Sequence, residues 1–228
     1  MTGQAAKMIQ QDKPLWVPDS GSVKKATLTR FMEEAGMAGK DYDALWRWSV
    51  DKPEAFWSQV WDFCGVIGEK GSKVLENGSK MPGAQFFPQA RLNFAENLLR
   101  RRDDHPAIIF RAETGSECSL SFNELYDHVS RFAQALRAAG VTKGDRVAGY
   151  LPNMPAAVIA MLATASLGGI WSSASPDFGV QGVLDRFGQI EPKVLVAIDG
   201  YFYNGKVIAS LDKVRDIAAS LPSVRRSQ

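Results

Sequence analysis

The chain has little cysteine: only Cys64 and Cys118, far apart. That pair matches neither a disulfide framework nor the close paired spacing of a zinc site, and both thiols are expected to be buried. Histidine is as scarce. His105 lies in an Asp-Asp-His-Pro turn and His128 on the flank of a helix, so both read as structural or surface residues. There is no Gly-x-Ser-x-Gly elbow, no His-Glu-x-x-His and no Gly-x-Gly-x-x-Gly at any strand end, which leaves nucleophilic, zinc-hydrolytic and dinucleotide chemistry without their usual parts. Charge of one sign is not in excess, since 27 Lys and Arg meet 25 Asp and Glu for a net +2. The basic clusters Arg100–Arg102 and Arg225–Arg226 are too short for the stripe a nucleic acid requires, so no nucleic-acid partner is expected. No long hydrophobic run is present either. The most apolar window, 155–171, is rich in Ala and Gly and falls short of the roughly 18 residues that span a bilayer, so it reads as a buried helix and no membrane partner is expected. The first residues lack the run of about 7–15 apolar residues of a secretory signal, which points to a reducing, cytoplasmic setting.

What is present is an ordinary globular composition: 45% hydrophobic, 10% aromatic and 23% charged residues in a 228-residue chain. Residues 1–40 read as an extended arm with prolines at 14 and 18, docking through Trp16, with one short helix over Thr27–Ala35. From Asp41 to Cys64, Trp46, Trp48, Phe56, Trp57, Val60 and Trp61 recur at helical spacing and predict two aromatic-rich helices. Asp51 is placed to cap the second of these, with Pro53 at its first position and Glu54 reaching back. The Gly65–Gly83 stretch reads as a loop or weak strand pair. Its glycines 65, 68 and 71 lack the Lys-Ser/Thr of a phosphate loop. A short helix over Leu92–Leu99 follows.

From Pro106 onward strands and helices alternate as in parallel sheets. Strands are expected at Ala107–Arg111, Glu117–Leu120, Arg146–Leu151, Gly169–Trp171 and Lys193–Ile198. Ser121-Phe122-Asn123-Glu124 is a capping box opening a helix that ends at Gly140; further helices start at Pro155, near Gly179 and near Ser210. Ser172, Ser173 and Ser175 read as a structural turn after a strand, and Asp199–Gly205 as a loop. Asp199 imitates a ribose-binding acid, but an acidic residue closing a strand is common in turns.

Several blocks are similar to one enzyme family. Pro14-Leu15-Trp16-Val17-Pro18, Tyr42-Asp43-Ala44-Leu45-Trp46-Arg47-Trp48-Ser49-Val50 with Phe56-Trp57, and Leu92-Asn93-Phe94-Ala95-Glu96-Asn97-Leu98-Leu99 come first. Leu120–Leu125, Lys143-Gly144-Asp145-Arg146-Val147 and Trp171-Ser172-Ser173-Ala174-Ser175-Pro176-Asp177-Phe178-Gly179 complete the set. The chain resembles the N-terminal part of adenylate-forming acyl-CoA synthetases, in the branch that holds the acetyl- and acetoacetyl-CoA synthetases.

The resemblance implies an α/β fold: an arm (1–40), an aromatic helical region (41–105) and the beginning of an AMP-binding domain with an incomplete sheet (106–228). It also implies an acetoacetate–CoA ligase, using ATP, Mg2+ and CoA to convert acetoacetate through an acyl-adenylate to acetoacetyl-CoA, AMP and diphosphate. The family's phosphate loop, magnesium-binding glutamate, ribose-binding aspartate and catalytic lysine do not occur in these 228 residues. The chain is therefore expected to be an N-terminal fragment, inactive alone and without tightly bound cofactors, whose partner is the missing C-terminal part of the same enzyme. No catalytic or metal-ligating residue is assigned. One binding element is: Tyr203, Asn204, Gly205 and Lys206 correspond to a loop that in related enzymes contacts the nucleotide end of CoA. Gly205 would admit a phosphate to the backbone and Lys206 would supply charge. Tyr203 replaces an arginine favoured by the sister enzymes, and the stretch also reads as a plain surface turn. The alternative to a ligase is a non-catalytic interaction or regulatory module on the same scaffold. A sheet cut short is expected to uncover apolar edges at Val147–Leu151 and Val194–Ile198 and to favour self-association.

Overall fold

The computed structural model describes residues 14–224; residues 1–13 and 225–228, including the Arg225–Arg226 pair, lie outside the described residues. The chain divides into two compact units, residues 14–66 with 70–89 and residues 67–69 with 90–224.

The first unit is helical. Helix α1 (Ser20–Lys25) begins at Asp19, whose carboxylate accepts from the N–H groups of Gly21 and Ser22 at 2.8 and 2.9 Å. Helices α2 (Thr27–Glu34), α3 (Tyr42–Asp51) and α4 (Pro53–Phe63) follow. The aromatic stripe packs as its spacing predicts: buried Phe31 meets Trp48, Phe56 and Phe63 at centroid distances of 6.3, 5.9 and 5.1 Å.

Three expectations are corrected in this unit. Trp16 does not dock, being 76% exposed on a segment that no described element covers. Asp51 does not cap α4. A proline drives the preceding residue out of helical geometry, so Lys52 makes the break (φ −134°, ψ 57°) and Asp51 stays inside α3. Cys64, just past α4, is exposed. The Gly65–Gly83 stretch contributes one short strand, β1 (Leu75–Glu76), whose antiparallel partner β2 (Gln85–Phe86) lies just beyond it.

The second unit carries α5 (Phe94–Leu98) and the antiparallel ribbon β3 (Pro106–Arg111) and β4 (Glu117–Ser121). Next comes α6 (Phe122–Ala138), opened by the expected capping box: Ser121 Oγ accepts from the Glu124 N–H while the Glu124 carboxylate accepts from the Ser121 N–H. Then β5 (Arg146–Tyr150), α7 (Pro155–Ser166), β6 (Ile170–Ala174), α8 (Val180–Ile190) and β7 (Val194–Ala197) alternate. The strands form a parallel sheet in the order β6-β5-β7. A hairpin, β8 (Gly200–Tyr203) and β9 (Lys206–Ala209), and helix α9 (Leu211–Ser220) complete the unit.

Successive side chains of a strand point to opposite faces, and β5 uses both. Val147 joins Leu125, Val129, Leu136 and Leu162 from α6 and α7 on one face. Ala148 and Tyr150 join Val183, Phe187 and Ile217 from α8 and α9 on the other. The α/β organisation is therefore a three-layer one, with helices on both faces of the sheet.

Here too the structure departs from the sequence reading. Val147–Leu151 is not an uncovered edge, because β7 and β6 flank β5, and Val147, Ala148 and Tyr150 are fully buried. The open edges among the described residues belong to β6 and β7. Ser172 and Ser173 are not in a turn: they pair in register with Ala148 and Gly149, inside β6. Cys118 is exposed, since it sits on a two-stranded ribbon with too little cover to bury both faces. Asp199–Gly205 is largely the first arm and turn of the β8–β9 hairpin.

Candidate functional site

Ligands of open α/β sheets gather beyond the carboxyl ends of the parallel strands, and here the turns after β5, β6 and β7 converge with the β8–β9 hairpin. The turn after β6 is organised from below and from the side. Tyr150, fully buried at the end of β5, shares its hydroxyl proton between the carbonyls of Pro176 and Phe178, each at 2.8 Å. Burial first, then the nearby Asp177 charge, push the Tyr150 hydroxyl above its usual pKa. Asp177 accepts from Ser175 Oγ at 2.9 Å and from the Tyr201 hydroxyl at 2.9 Å, so one carboxylate joins this turn to strand β8. Burial and the bond to Asp177 together push Tyr201 up to about 12, and it remains a neutral donor.

The β8–β9 turn is two residues long. Asn204 (φ 51°) and Gly205 (φ 73°) both lie in the left-handed region, the signature of the tight hairpin turn that an Asn-Gly pair favours. This conformation sets their two N–H groups side by side, facing outward from the turn, as a small anion cradle. In the structure that cradle holds a carboxylate of the same chain. Glu113, at the tip of the β3–β4 ribbon, accepts from the Asn204 N–H through Oε2 and from the Gly205 N–H through Oε1, both at 3.0 Å. Between the two hairpins and the turn after β5 lies a cavity of about 460 Å³, lined among others by Phe110, Glu113, Asn153, Met154, Tyr201 and Phe202.

Matches to known proteins sharpen this picture. Residues 94–227 match the family described as AMP-binding enzyme, over more than half of the chain. The chain belongs to the AMP-binding enzyme family. Residues 42–98 match the acetyl-coenzyme A synthetase N-terminus. An acetoacetyl-coenzyme A synthetase of Rhizobium meliloti (strain 1021) is 53% identical over 93% of this chain and 33% of its own length. A malonamoyl-CoA synthetase of Penicillium aethiopicum is 38% identical over 87% of this chain and 29% of its own. Among solved structures, the acetoacetyl-CoA synthetase from Streptomyces lividans superposes with a TM-score of 0.88 at 45% identity, covering 93% of this chain and 34% of that one. The chain thus spans about a third of the length of the relatives it matches.

In this member of the family, the four residues singled out from the sequence stand together on one turn. Tyr203 pairs with Lys206 across the hairpin, Asn204 and Gly205 form its tip, and all four are exposed. Sequence reading missed Glu113, Asp177 and Tyr201. The Asn-Gly pair between the alternating runs Tyr201–Tyr203 and Lys206–Ile208 was a legible hairpin signal. Nothing local in Glu113 announced its role, because its two partners lie 91 and 92 positions away. Among the described residues, no three His, Cys, Asp or Glu side chains converge as a metal site, and no helix is long and apolar enough to cross a membrane.

Proposed function

We propose that this chain works as part of an acetoacetate–CoA ligase. The observation that carries the reading is its 53% identity, over 93% of its length, to an acetoacetyl-coenzyme A synthetase. In the proposed reaction the acetoacetate carboxylate attacks the α-phosphate of ATP, releasing diphosphate and forming an acyl-adenylate. The CoA thiol then attacks the acyl carbon and AMP leaves. The described residues contribute scaffold and positioning. The layered sheet holds the turns at its carboxyl end, and the Tyr203–Lys206 turn offers two backbone donors and a lysine charge to the phosphates at the nucleotide end of CoA. The magnesium ion that would accompany ATP has no ligand set among the described residues, and no step is assigned to it. The choice of acetoacetate rests on the relatives alone, since a malonamoyl-CoA synthetase aligns with much of the same chain. The cytoplasm, where ATP and CoA are supplied, is the compartment this reading favours.

The test is to isolate the native product from its source cells, measure its mass and assay acetoacetate-dependent diphosphate release. A product much heavier than 25.0 kDa that releases diphosphate with acetoacetate supports the ligase. An inactive product at that mass replaces it with a non-catalytic module.

A further inference from the structure

We propose that Glu113 is a built-in occupant of the anion cradle at the β8–β9 turn, which an incoming phosphate must displace. The inference rests on the assignment of Tyr203–Lys206 to CoA phosphate binding and adds a residue that sets the affinity of that site. Its basis is geometric. Glu113 places one oxygen on the Asn204 N–H and the other on the Gly205 N–H, each at 3.0 Å. Two oxygens on one central atom are also what a phosphate presents, so carboxylate and phosphate compete for the same pair of donors.

The turn is preset to hold an anion by its two left-handed residues, whichever anion is present. Glu113 is poised to leave it: it is exposed and stands at the tip of a two-stranded ribbon, close to the Ala112–Ser116 turn that closes it. The neighbouring Arg111 does not hold Glu113 back, since it pairs with Glu117 at 2.9 Å. Glu113 also lines the 460 Å³ cavity beside the turn, so its departure vacates the cradle and part of that cavity's wall together.

A site that is competent only in a fraction of molecules shows an affinity reduced by that fraction. Removing the occupant therefore tightens phosphate binding. The experiment uses the 228-residue chain labelled with 15N, titrated first with inorganic phosphate and then with CoA. In the ligand-free state, Glu113→Ala is expected to shift the Asn204 and Gly205 amide resonances upfield while leaving the rest of the spectrum in place, which also reports that the variant folds. Glu113→Ala, Glu113→Gln and Glu113→Asp are each expected to bind both probes about three- to tenfold more tightly.

The aspartate variant separates occupancy from bulk charge. It keeps the negative charge but is one methylene too short to bridge, so an affinity equal to wild type in Glu113→Asp alongside tighter binding in Glu113→Gln overturns the proposal. So do ligand-free amide shifts that ignore Glu113→Ala. The CoA assignment fails separately: if CoA moves neither amide and Lys206→Gln leaves CoA binding unchanged, while Glu113→Ala still tightens inorganic phosphate, the cradle and its occupant stand and the assigned ligand falls.

Discussion

Asp145 shows how much one side chain can tie together. It precedes β5 and accepts from Lys193 Nζ at 2.8 Å, from the Thr142 N–H at 2.7 Å and from the Thr142 hydroxyl at 3.0 Å. The Lys193 bond first, then the Thr142 donors, hold its carboxyl down at about 2, below the ordinary 3.8. A depressed carboxylate pKa stabilises the fold above the unfolded value and loses that contribution as pH falls through the folded one. Asp145→Asn is therefore expected to be less stable than wild type near neutrality, with the gap closing as pH falls from about 3.8 to about 2; urea melts across that window measure it. Gly149 is fixed by space instead. A Cβ there would stand 2.5 Å from the Trp171 ring and 2.7 Å from Leu151, so Gly149→Ala is expected to cost about 1–3 kcal/mol in the same assay. Tyr201 offers a spectroscopic check. Ultraviolet titration should find a tyrosine ionising near 12, and Asp177→Asn should lower that value by removing the carboxylate charge that the Tyr201 hydroxyl faces.

Elements were most legible where their signals are local. The capping box at Ser121, Pro155 opening α7 and the Phe122–Leu136 stripe all lie within one or a few helical turns, and the structure forms those helices. Ser121→Ala is expected to cost about 1 kcal/mol, read from the thermal midpoint, because the Glu124 N–H loses its acceptor. Boundaries failed where two local signals competed. Asp51 is a good cap by type, but Pro53 dictates where the chain must leave helical geometry, and that residue is Lys52. The β8–β9 hairpin was read as a loop with a surface turn at Tyr203–Lys206, because the alternating runs on either side of the Asn-Gly pair were not read as strands. Gly205→Ala forces a Cβ into the left-handed region and is expected to cost roughly 1 kcal/mol, with loss of amide protection along β8 and β9 in hydrogen exchange.

At the scale of the whole molecule, the second unit is built around one strand that serves two cores. Val147 faces α6 and α7 while Ala148 and Tyr150 face α8 and α9, so damage to either face reaches the other through β5. Phe187→Ala is expected to destabilise by about 3–5 kcal/mol and to lower exchange protection in α6 and α7 as well as in α8. Sequence alone determined that this chain is α/β, that its aromatic helices precede an alternating region, and that it resembles the acyl-CoA synthetases. Periodicity, caps and motif blocks are written within stretches of a few to some twenty residues, and their physics acts at that range. The central place of β5, the exposure of Cys64 and Cys118, and the seat of Glu113 on the Asn204–Gly205 turn were decided only by tertiary structure. Each depends on which distant segment packs alongside: β6 and β7 flank what looked like an edge, both cysteines are left exposed, and a carboxylate meets its two donors across 91 and 92 positions of chain.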